Sequence, residues 1–78
     1  MTKNTLPSRQ EIIKLFEKVK IIMSEADQDF VQSTLMFLAF GEGDVADEWE
    51  VVERLRGYEK TYNFMERFKL ITLLKKLI

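Results

Sequence analysis

Six carboxylates fall between Glu42 and Glu53, namely Glu42, Asp44, Asp47, Glu48, Glu50 and Glu53, and they form the densest group of side chains in the chain with a capacity for chemistry. Carboxylates in such density bind hard cations, and a pair of them flanking a cleft performs the acid and base steps of glycoside hydrolysis. Asp44 and Glu48 stand one helical turn apart, yet the spacing lacks the alternating Asp-x-Asn/Asp-x-Asn/Asp-Gly order of a calcium loop. A small helical bundle also offers little of the concave space a substrate needs. The acids therefore read first as helix caps and a solvated face. Second, Asp44, Asp47, Glu48 and Glu50 read as a surface for a basic protein partner. Neither a metal nor a cofactor is expected.

The next stretch has the opposite sign. Arg54, Arg56, Lys60, Arg67 and Lys69 interleave with Tyr58 and Tyr62, a composition that suits phosphate contact and base stacking. The same tyrosines stand four residues apart and also fit packing on one side of a helix. No zinc-finger spacing, aromatic RNA-binding signature or glycine-rich phosphate loop accompanies them.

Histidine and cysteine are both absent. Their absence removes the commonest general base, the soft metal ligands, disulfides, and every Ser-His-Asp or Cys-His arrangement. Ser8 and Ser24 are better placed as helix caps than as nucleophiles. The chain is expected to be no enzyme, and the lack of cysteine fits a reducing, cytoplasmic setting. No stretch approaches the roughly 20 apolar residues of a membrane span, and the first ten residues lack the apolar core of a secretory signal.

At 78 residues there is room for one domain, residues 1–78, with residues 1–7 expected as a flexible tail. Hydrophobic residues reach 46%, too many for disorder, while one Pro and three Gly are too few breakers for a turn-dense β fold. The expected class is all-α, a small four-helix bundle with helices near 9–23, 25–40, 45–56 and 64–78.

The periodicities carry that expectation. Ser8-Arg9-Gln10-Glu11 fits a capping box, and Ile12, Leu15, Phe16, Val19, Ile22 and Met23 then recur on one helical face. Ser24 caps the second helix and Gly41 stops it. The Gly41-Glu42-Gly43 turn leads to Asp44 as the next cap, with Val45, Trp49, Val52 and Leu55 as an inner stripe and Glu50 placed to pair with Arg54. Gly57 either ends that helix or weakens it. Residues 56–64 alternate in a manner that also suits a short strand, set aside because a lone strand finds no partner. Asn63 with Glu66 suggests a further cap, opening the last helix.

Two features point toward association. The charge is striped: plus three over residues 1–23, minus nine over 24–53 and plus five over 54–78, the mark of internal complementarity or of a surface built for a charged partner. The second and last helices are apolar around most of their circumference. A helix apolar on every side must be covered on every side, so the second helix is expected at the centre and the surplus against another polypeptide, most cheaply as a homodimer. Met36, Phe37, Phe40, Leu73, Leu74 and Leu77 are the residues assigned to self-association. The expected function is a non-enzymatic interaction module acting as adaptor, inhibitor or regulator, and the alternative is a nucleic-acid-binding regulator using residues 54–69.

Overall fold

The computed structural model describes residues 6–77, and these are helical with no strand among them. Helix α1 (Arg9–Val19) is followed by a 3-10 turn (Lys20–Ile22), then α2 (Glu25–Ala39), α3 (Val45–Arg67) and α4 (Leu70–Leu77). A small four-helix protein is what the sequence implied. Residues 1–5 of the expected tail and Ile78 of the expected last helix lie outside the described residues; Leu6 and Pro7 are half-buried, with Leu6 resting on the core.

Local signals start the helices where they were expected. The Ser8 hydroxyl accepts from the Glu11 amide at 3.2 Å, and the Ser8 amide donates to the Glu11 carboxylate at 3.0 Å, so each side chain satisfies the other residue's backbone donor at the start of α1. Asp44 and Asp47 do the same for α3, at 3.0 and 3.2 Å. Ser24 accepts from the Asp27 amide at 3.2 Å and opens α2. Between α1 and α2, the Gln28 side-chain amide donates to the carbonyls of Lys20 and Met23, each at 3.1 Å, which ties down the 3-10 turn.

The end of α2 is a Schellman motif. Gly41 takes φ 76°, its amide donates to the Leu38 carbonyl at 3.0 Å, and the Glu42 amide donates to Phe37 at 2.8 Å. Glycine suits this left-handed position because no Cβ meets the neighbouring carbonyl.

Two sequence expectations are corrected. Helix α3 does not stop at residue 56, and no new helix starts at 64: it runs unbroken through Gly57 to Arg67, and the break falls at Phe68 and Lys69. A glycine inside a helix costs about 1 kcal/mol relative to alanine, while Val51, Val52, Leu55 and Tyr62 all bury along one face of this helix. Burial of that stripe outweighs the glycine. Asn63, expected as a cap, sits in the helix interior, and the alternation over 56–64 is resolved in favour of helix.

The central helix is α3 rather than α2, because α1, α2 and α4 each pack on α3. At 23 residues it extends about 34 Å, long enough to serve all three. Helix α1 lies parallel to it, with Arg9 beside Glu48 and Lys18 beside Glu59. Helix α2 lies antiparallel, with Asp27 beside Arg54. The core joins Ile12, Phe16, Val19 and Met23 to Val31, Val51, Val52, Leu55, Tyr62 and Ile71. The molecule measures 38 × 31 × 17 Å with a radius of gyration of 13.5 Å, against about 11.5 Å for a typical globular chain of this length. In so thin a slab, a helix covered on one face shows its other face to water.

Candidate functional site

The acidic residues assigned to a basic partner are already engaged within the chain. Asp44 and Asp47 cap α3, Glu48 pairs with Arg9 at 3.2 Å, and Glu50 pairs with Arg54 at 3.0 Å. Arg9 does more than neutralise Glu48, because its Nη1 also donates to the Leu38 carbonyl at 3.1 Å and so ties α1 to the end of α2 and the start of α3. Asp44, Asp47 and Glu50 remain exposed and Glu48 is half-buried. Among the described residues, no three acidic side chains converge as a metal site would require.

The structure divides the basic and aromatic stretch between two sides of α3. Tyr62 is buried and Tyr58 half-buried, with the Tyr58 hydroxyl donating to the Asp27 carboxylate. Arg54 turns to the same side, bonds Asp27 at 2.8 Å and lies 4.4 Å from the centre of the Phe30 ring. Asp27 is consequently held below its ordinary value, chiefly by the Tyr58 hydroxyl, with partial desolvation opposing and the Arg54 charge assisting. Arg54 is held above its ordinary value, first by its bond to Glu50. Arg56, Lys60 and Arg67 fall within roughly 40° of one another on the outward side at 100° per residue, all exposed and, among the described residues, without an ion pair. Lys69 is exposed in the turn after α3, at φ 62°. The two tyrosines are thus turned away from the exposed cations Arg56, Lys60 and Arg67.

The apolar residues assigned to self-association are placed differently from one another. Met36, Phe37 and Phe40 are 57%, 53% and 73% exposed, and Leu73 and Leu77 are 57% and 83% exposed. Leu74 lies half-buried against the core beside buried Ile71. On α2 the exposed three lie opposite Val31 and Leu38, which face the core. The helix is apolar all round, as its sequence shows, but only one side is covered within the chain.

Further exposed apolar residues join these two groups. Val45, at 60%, follows the turn after Met36, Phe37 and Phe40, forming a patch at the α2–α3 corner. Phe64 and Phe68, with ring centres 5.0 Å apart, precede Leu70, Leu73 and Leu77 and form a second patch at the α3–α4 corner. Val45 was expected on the inner stripe of α3 and is instead exposed, while Phe64, Phe68 and Leu70 escaped notice because the expected break at Gly57 hid the true end of α3. Drawn as one helix, α3 puts Phe64 on the side opposite Leu55 and Tyr62, and that displacement was the available signal.

Between the helices runs a groove of about 550 Å³, bordered by Lys20, Gln28, Gln32, Tyr62 and Lys75. No helix among the described residues is long and apolar enough to cross a membrane. Neither a family model, nor a curated protein, nor a solved structure matches this chain.

Proposed function

We propose that this chain is a non-enzymatic protein-interaction module that associates through apolar surface at its two ends, first with copies of itself, and serves as an adaptor, inhibitor or regulator. One observation carries the reading: Met36, Phe37, Phe40 and Val45 at one end, and Phe64, Phe68, Leu70, Leu73 and Leu77 at the other, are open to water in a small domain. Burying one Leu or Phe side chain is worth about 1.5 to 3 kcal/mol. Large contiguous apolar exposure marks an interaction surface.

Sedimentation of the wild-type chain from micromolar to millimolar concentration tests this directly. Reversible growth in mass with concentration is expected. A single-chain species throughout would remove the reading. The exposed cations Arg56, Lys60 and Arg67 favour nucleic acid as the second reading, and labelled DNA or RNA bound with a steep salt slope would support it.

A further inference from the structure

The two apolar patches differ in the charge around them. The α2–α3 corner carries Glu42, Asp44 and Asp47, all exposed, in a stretch from residue 24 to 53 that has no Lys or Arg. Arg9, which reaches this corner from α1, is bonded to Glu48 and to the Leu38 carbonyl. The α3–α4 corner carries Arg67, Lys69 and Lys76, all exposed, against the single acid Glu66. Leu70, Leu73 and Leu77 lie within roughly 60° on α4 at 100° per residue, with Lys76 beside them.

We infer that copies of this chain join head to tail, the acid-rimmed patch of Met36, Phe37, Phe40 and Val45 on one copy seating against the base-rimmed patch of Phe64, Phe68, Leu70, Leu73 and Leu77 on the next. The inference rests on the reading above that the chain binds protein through these patches, and it fixes the occupant and the geometry. Pairing either patch with its own twin would place Glu42 and Asp44 against Glu42 and Asp44, or Arg67, Lys69 and Lys76 against themselves. Like charges facing one another across an interface oppose association, and opposite charges select the register. A single heterologous contact accounts for both patches, whereas an anionic lipid surface would account only for the basic one. Val45 and Phe64 stand about 28 Å apart along α3, so both patches are usable at once. A heterologous contact repeated in this way builds a ring or a filament rather than a closed pair.

The test uses one variant blocked at each end of the full chain, Phe40→Asp and Leu73→Asp, with Phe37→Asp and Leu77→Asp as a second pair should either of the first not give the wild-type helical circular-dichroism spectrum. All four positions are exposed. Each variant alone is expected to sediment as a single chain at concentrations where the wild type forms larger species. The mixture is expected to form a complex of one copy of each and nothing larger, weakened by added salt. If one variant alone still associates as the wild type does, the contact is isologous through its intact patch; the head-to-tail inference then falls while the protein-binding reading stands. A wild-type chain that stays single at every concentration overturns both, as does one that stays single in solution and floats with anionic phospholipid vesicles.

Discussion

Tyr58 and Arg54, one helical turn apart on α3, hold the two oxygens of the same carboxylate, Asp27 on α2. Tyr58 also comes within 3.5 Å of the Ser24 amide, at the cap of α2. The start of α2 is thereby fixed against the middle of α3, while its far end is fixed by Leu38, which packs over Gly43 and offers its carbonyl to Arg9. These two anchorages hold α2 by one face and leave Met36, Phe37 and Phe40 on the other.

The Asp27 arrangement makes stability depend on pH with a definite sign. Its carboxyl sits below the ordinary 3.8 in the folded chain, first because of the Tyr58 hydroxyl. The folded state therefore binds fewer protons than the unfolded one, and the stabilisation is full above that ordinary value. It is lost as pH falls through the lower folded value. In urea titrations, Asp27→Asn is expected to be less stable than wild type near neutral pH, with the gap closing in acid. A gap that stays constant down to strongly acidic pH would show that the charge on Asp27 contributes nothing.

Gly57 and Gly43 are expected to respond in opposite directions to alanine. A Cβ on Gly57 meets nothing within 4 Å, so Gly57→Ala should raise stability by about 0.5 to 1 kcal/mol through helix propensity alone. A Cβ on Gly43 would lie 2.5 Å from Leu38 Cδ2 and 3.0 Å from Cγ, and Leu38 is itself buried. Gly43→Ala should lower stability by about 1 to 3 kcal/mol, the range for overpacking. Chemical denaturation of the two variants decides it, and a stabilised Gly43→Ala would mean that Leu38 moves aside freely.

Core and patch should be separable by mutation. Leu55 is fully buried in the middle of α3, and Leu55→Ala is expected to cost about 2 to 5 kcal/mol, a large part of the 5 to 15 kcal/mol usual for a domain. Phe40 is open to water, and Phe40→Ala should change the unfolding free energy of the single chain by less than about 0.5 kcal/mol. A large loss at Phe40 in dilute solution would place that ring in the fold rather than at its surface.

The sequence made the helical class legible because each helix start carries a short-range signal. Ser8 with Glu11, Ser24 alone, and Asp44 were all read as caps from their neighbours, and all cap in the structure. Long-range packing was not legible in the same way. The apolar surround of α2 implied a central position, but what decides centrality is reach, and α3 gains its reach only if Gly57 is crossed. That crossing depends on contacts of Tyr58 and Tyr62 with α1 and α2, which no local pattern contains. The same limit hid the ion pairs: Arg9 with Glu48 spans 39 positions and Lys18 with Glu59 spans 41. The striped charge announced complementarity without saying whether it lay within one chain or between chains. Glu48 and Glu50 are paired internally, while Glu42, Asp44, Arg67 and Lys76 are left at opposite ends.

Lys69 decides where α4 points. It holds φ 62° directly after the end of α3, a position for which glycine is the usual choice, and its amide donates to the Glu66 carbonyl at 2.9 Å. A side chain in the left-handed region costs about 1 to 2 kcal/mol for most residues, less for asparagine, and a branched Cβ is tolerated worst. Lys69→Gly is therefore expected to stabilise the chain by up to about 1 kcal/mol, whereas Lys69→Val destabilises it. Asn and Val both remove the positive charge, so the difference between Lys69→Asn and Lys69→Val isolates the backbone. The Asn variant should be the more stable by about 1 kcal/mol in thermal or urea unfolding. Because Leu70, Leu73 and Leu77 follow this turn, the Val variant is also expected to associate less well than the Asn variant of equal charge. Equal stability and equal association in the two would show that the turn has another conformation in solution and does not aim α4.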